Sequence, residues 1–94
     1  MRTKAALARM FQKEADDRMS KGLLVYGDFD PSTDSRILSQ EAMDELVDVM
    51  NYMRMYEQKT KKKNNASVIK KQVFVTWCLL RDMREDEMNS GERG

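Results

Sequence analysis

The stretch "EAMDELVDVMNYMRMYE", residues 41–57, places Glu41, Asp44, Glu45 and Asp48 close together and then turns apolar and aromatic. Carboxylates this dense either hold a hard, oxygen-seeking cation or form the wet side of an amphipathic helix. At about 100° per residue the four share a sector of roughly 100°, opposite Met43, Leu46, Val47 and Met50. A solvated face is the commoner origin of such a cluster. Two features weigh against it here. Asn51, Tyr52, Met55 and Tyr56 continue the carboxylate side, and such a surface reads as covered. Acids beside it would lose water and repel one another unless a cation or a basic group joined them. Glu14 and Asp17, three residues apart, add a second acidic pair on one face of an earlier helix. Acids from two neighbouring helices are a known way to build a divalent-metal site in a bundle.

The rest of the composition narrows the chemistry. Histidine is absent and Cys78 is the lone cysteine. That removes imidazole acid–base catalysis, histidine-dependent nucleophiles, an internal disulfide and cysteine-rich zinc sites. Lys and Arg number 17 against 16 Asp and Glu, so no basic excess points to nucleic acid. No apolar run approaches the roughly 18–20 residues of a membrane span. The opening "MRTKAALARMFQKE" is basic but lacks the continuous apolar segment of a signal peptide. A cytoplasmic protein is expected. At 94 residues the chain bounds one small domain with a modest core, and pairing with a second copy would extend it.

Three helices should position these residues. Leu7, Phe11, Ala15 and Met19 recur every four residues, predicting a helix over 3–20. "KGLLVYGDFDPSTDS", 21–35, carries Gly22, Gly27, Pro31 and several oxygen side chains, and reads as a loop ending in a helix cap. A second helix is expected from Asp34 or Ser35 to about Lys59, burying Met43, Leu46, Val47, Met50 and Met53. Asn64 and Asn65 suit a helix stop within the basic segment 59–67. From about Ser67, apolar residues at 69, 73, 77, 80 and 83 predict a third helix despite the β-branched Val68, Val73, Val75 and Thr76. Residues 88–94 should fray. The expected fold is all-α, a three-helix chain whose bundle is completed by oligomerisation, forming a single domain over 1–94.

The segment "EAMDELVDVMNY" resembles the second acidic motif of the MazG-like, all-α nucleoside triphosphate pyrophosphohydrolases. In that family an E-x-x-E pair is followed, after a spacer, by E-x-x-D and often by Asn-Tyr. Glu45-x-x-Asp48 fits the second half as it stands. Glu14-x-x-Asp17 fits the first with Asp in place of Glu, and Asp44 stands where many members carry Glu. "RMSKGLLVYGDFDP" is similar to the Lys-Gly…Tyr-Gly loop of short phage-encoded relatives. The likeness covers about residues 14–57. It implies hydrolysis of a triphosphate to monophosphate and pyrophosphate with magnesium, or manganese in its place. It also implies Glu45 and Asp48 as catalytic metal ligands, joined by Glu41, Asp44, Glu14 and Asp17. Asn51, Tyr52, Lys21 and Tyr26 would meet the nucleotide. The alternative is a non-catalytic oligomeric helical adaptor or a nucleotide-binding protein.

Other residues have plainer readings. Lys59, Lys61, Lys62, Lys63, Lys70 and Lys71 form a solvated turn more readily than a phosphate grip. Phe74 and Trp77 suit core or subunit interface rather than base stacking. The nine methionines suit adaptable packing. Cys78 reads as a small buried hydrophobe.

Overall fold

A computed structural model of the chain describes residues 2–93, leaving aside the side chains of Tyr26 and of 90–93. It is all-α, with α1 Lys4–Tyr26, α2 Leu38–Thr60 and α3 Asn64–Arg93, and no strand among the described residues. None of these helices is long and apolar enough to cross a membrane. The chain forms two compact units, Met1–Asp34 and Ser35–Gly94.

In the first unit Thr3 starts α1, its hydroxyl accepting from the Ala6 N–H at 3.1 Å. The helix runs six residues beyond the expected end at 20 and absorbs "KGLLVY". Gly22 costs an interior helix about 1 kcal/mol, which the helix-compatible Leu23, Leu24 and Val25 tolerate. The stop is Gly27. Its φ of 83° lies in the region glycine favours, and its N–H donates to the Leu23 carbonyl at 2.9 Å. Phe11 and Met19 remain largely exposed.

The loop that follows turns on Asp30. Its Oδ1 accepts from the Ser32 N–H at 2.9 Å and the Ser32 hydroxyl at 2.7 Å. Its carbonyl accepts from Asp34 N–H at 2.9 Å. Pro31, with its preset φ, fits the second position of this turn. The Ser32 hydroxyl, then the Ser32 N–H, holds the Asp30 carboxyl below its ordinary value.

The second unit is an antiparallel hairpin of α2 and α3. Along α2, Ser39, Met43, Leu46, Met50, Met53 and Glu57 are the buried or half-buried positions at alternating steps of four and three. Along α3 the same rhythm picks out Ala66, Lys70, Val73, Trp77, Leu80, Arg84 and Glu87. This is the spacing of a two-helix coiled-coil seam. Met43 and Ala66, at 2% and 1% exposure, are its fully buried apolar members. Val47 and Met83, expected inside, are exposed. Each stands one residue off the rhythm, about 100° around the helix from its seam neighbour. The β-branched residues of α3 do not divert it to strand, because the seam repeats at the helical period.

Both ends of the seam are polar. At one, Glu87 accepts from the Leu38 N–H at 2.6 Å, the Ser39 N–H at 2.9 Å and the Ser39 hydroxyl at 2.7 Å. At the other, Lys70 Nζ donates to Glu57 at 2.6 Å. Helix α2 therefore starts at Leu38 rather than near Asp34 or Ser35. Its N-terminus is capped by a carboxylate from α3, and Ile37 at the local cap position makes no side-chain bond. The C-terminus falls at Thr60, with Lys61 left-handed at φ 60° and its N–H donating to the Glu57 carbonyl at 2.9 Å. Asn64 and Asn65 do not stop α2. They open α3, which starts before Ser67 and continues through 88–93.

Two outcomes test this frame. Glu87→Ala should cost roughly 1–3 kcal/mol by stranding the first N–H groups of α2. Urea unfolding would show it as a lowered midpoint, and an unchanged midpoint would remove Glu87 as the cap. The Asp30 carboxyl is depressed in the folded state, so its turn is supported above the ordinary 3.8 and loses that support as pH falls through the lower folded value. The Ser32 amide signal should hold its folded position at pH near 5 and shift only in stronger acid.

Candidate acidic face of α2

The seam fixes which way the rest of α2 points. With Met43, Leu46 and Met50 turned to α3, Glu41, Asp44, Glu45 and Asp48 lie on the outer side, and all four are exposed. Asp44 Oδ1 accepts from Gln40 Nε2 at 2.8 Å, one turn back. Asn51 and Tyr52 follow on the same helix, exposed as well, with Tyr52 at 64%. Met55 and Tyr56 are also exposed. The covered surface expected beside the carboxylates is not formed by α3.

The remaining candidates belong to the first unit. Glu14 and Asp17 are exposed on α1. Asp17 is held by Lys13 at 2.8 Å, an ordinary surface pair one turn apart. Lys21 is exposed near the end of α1. The Tyr26 side chain lies outside the described residues.

A magnesium or manganese ion takes oxygen donors, and every acid in the set supplies them. The donor chemistry suits the ion. The count in one chain does not, because among the described residues no three acidic or cysteine side chains are grouped to hold a metal.

Further features stand elsewhere on the hairpin. Arg54, Lys61, Lys63 and Lys70 border one groove at the turn end, together with Glu57 and Ser67. Midway along, Leu46, Val47, Met50, Val73, Phe74 and Trp77 line an apolar groove, which Asn51 and Arg54 also line. Cys78 is half-buried and free. Phe74 and Trp77 part company: Trp77 is half-buried in the seam while Phe74 is 61% exposed. Arg54 is the one member of this basic set not named among the lysines of 59–71. Only the seven-residue spacing Gln40, Val47, Arg54 marks it in the sequence as belonging to this flank.

No protein-family model, no curated protein and no solved structure matches the chain.

Exposure sets an expectation for these acids. Without divalent cation, Glu45→Ala and Asp48→Ala should each shift stability by no more than about 0.5 kcal/mol. The sign should lean towards stabilisation, since neighbouring like charges one turn apart are relieved. Thermal unfolding in chelator would measure it. A loss above about 2 kcal/mol would make the acidic face part of the fold rather than of a site.

Proposed function

We propose that the chain is a nucleoside triphosphate pyrophosphohydrolase of the MazG-like type, dependent on magnesium and working as a homo-oligomer. One observation carries this reading. A rigid helix presents Glu41, Asp44, Glu45 and Asp48 along its open side, directly before Asn51 and Tyr52. Oxygen donors alone, with no imidazole anywhere, suit phosphate chemistry through a hard cation. Glu45 and Asp48 would hold the ion, with Glu41 and Asp44 beside them and the rest supplied by a second copy. The bound ion supplies charge neutralisation at the phosphates and an activated water. The chain's own residues do the remaining work. The seam keeps the carboxylates in fixed mutual spacing, and Asn51 and Tyr52 offer an amide and a phenol to the nucleotide. A nucleotide substrate suits a cytoplasmic protein.

A second reading has its own support. The acids stay exposed, and among the described residues no three acidic or cysteine side chains are grouped to hold a metal. That suits a non-catalytic oligomeric adaptor, or a protein that binds nucleotides without turning them over.

A triphosphate panel with magnesium separates the two. Turnover should release pyrophosphate and monophosphate, not phosphate and diphosphate. Glu45→Gln should lower the rate about a hundredfold or more while leaving the unfolding midpoint in place. Glu14→Gln reads the share of α1. Binding without pyrophosphate release would sink the enzyme reading in favour of the second.

A further inference from the structure

We infer that the turn end of the α2–α3 hairpin binds single-stranded nucleic acid. Bases stack at Phe74 and Trp77, and the sugar–phosphate chain runs over Arg54 to Lys61 and Lys63. The site is separate from the carboxylate face and goes beyond the catalytic reading.

The near-zero charge balance speaks against nucleic acid only for the chain as a whole. The chain carries +1, yet residues 54–71 hold Arg54 and six lysines against Glu57 alone. Glu57 is already taken by Lys70 at 2.6 Å. Arg54, Lys61 and Lys63 line one groove with Gln58 and Ser67, and all three cations are exposed. None of the three makes an ion pair among the described residues. The turn that carries the two lysines is fixed by its backbone. Lys61 N–H donates to the Glu57 carbonyl at 2.9 Å, Lys62 N–H to the Thr60 hydroxyl at 3.1 Å and Ser67 N–H to the Lys63 carbonyl at 2.8 Å. Lys61 is left-handed at φ 60°, where glycine is the easy residue. A merely solvated turn needs neither a shared groove nor a charged side chain at that position.

What adjoins the cations selects the ligand. Arg54 also lines the apolar groove of Val47, Met50, Phe74 and Trp77, so the two grooves meet at one guanidinium. Phe74 is 61% exposed and Trp77 half-buried, which leaves aromatic surface open to a planar group. Phe74 and Ser67 stand seven residues apart on α3, about 10 Å along the helix, a span that a short strand bridges. Cations beside aromatic rings hold single strands without sequence preference, because phosphates meet the charge and every base offers a π face. A duplex keeps those faces inside its stack. Asp44 and Asp48 precede Asn51 on α2, on the side away from the turn. A strand is therefore drawn from the aromatics towards Lys61 and Lys63 and repelled in the other direction.

Trp77 is the single tryptophan, so its fluorescence reports on the groove directly. In chelator, an oligothymidylate of about 15 nucleotides should bind the full chain and quench Trp77. Contacts from Arg54, Lys61 and Lys63 predict affinity falling about tenfold or more between about 0.05 and 0.2 M salt. Phe74→Ala should weaken binding about tenfold while far-ultraviolet dichroism stays helical. Lys61→Gly should weaken binding and flatten its salt dependence, yet leave the urea midpoint unchanged or raised, because glycine relieves the left-handed backbone. A duplex of the same length should bind about tenfold more weakly. Unchanged Trp77 emission, or a Phe74→Ala variant that binds like the parent, would overturn the inference. So would inorganic polyphosphate or phosphatidylserine vesicles binding as tightly as the strand. Equal affinity for a free nucleoside triphosphate would replace the strand with a mononucleotide and overturn it as well. None of these readouts uses metal or turnover, so loss of the enzyme reading would leave them untouched.

Discussion

Glu87 reaches the first turn of α2 from the far part of α3, 48 residues along the chain from Ser39. Everything else in the second unit depends on that contact and its counterpart, Lys70 on Glu57. An apolar two-helix seam of methionine, leucine and valine specifies register weakly, since one heptad looks much like the next. A slip by one heptad would strand the Glu87 carboxylate and uncap α2 together. From Ser39 to Glu57 is 18 residues, and from Glu87 back to Lys70 is 17, so the two polar pairs agree on one register. That register turns the carboxylates outward and brings Val47 and Phe74 to the same flank.

The sequence read well where the physics is local. Three helices, with no strand among the described residues, followed from periodicity. Gly27 ended a helix through its own φ, although Gly22 had looked equally able to do so. Most of the α2 stripe was visible, because Met43, Leu46, Met50 and Met53 are apolar at seam positions. Several misses trace to contacts between helices. The start of α2 at Leu38 is set by a side chain from α3, so Asp34 and Ser35 looked like caps from the sequence alone. Lys70, Arg84 and Glu87 were illegible as seam residues, because polar types at inward positions break a hydrophobic pattern. Val47 and Met83 were misplaced for the converse reason: apolar types need not face the nearest helix.

The candidate site was legible as residues and not as a place. Spacing put four acids on one side of α2, and the structure keeps them there. Sequence also suggested that tyrosine and methionine one turn later meant a covered surface. In the hairpin that surface is open, with Tyr52, Met55 and Tyr56 all exposed. Exposed aromatics next to exposed acids on a fixed helix make a face that is complete only against something else.

The four carboxylates and the Val47–Phe74 groove lie on different sides of the same helix, while Asn51 lines the groove. Val47 stands about 80° from the middle of the seam, while Asp48 is nearly opposite it. Asp44, at the edge of the sector, is the carboxylate nearest the groove. The cost of four like charges on neighbouring turns is small while water surrounds them. It becomes large only when a second surface removes that water, and a divalent ion is the compact way to offset it.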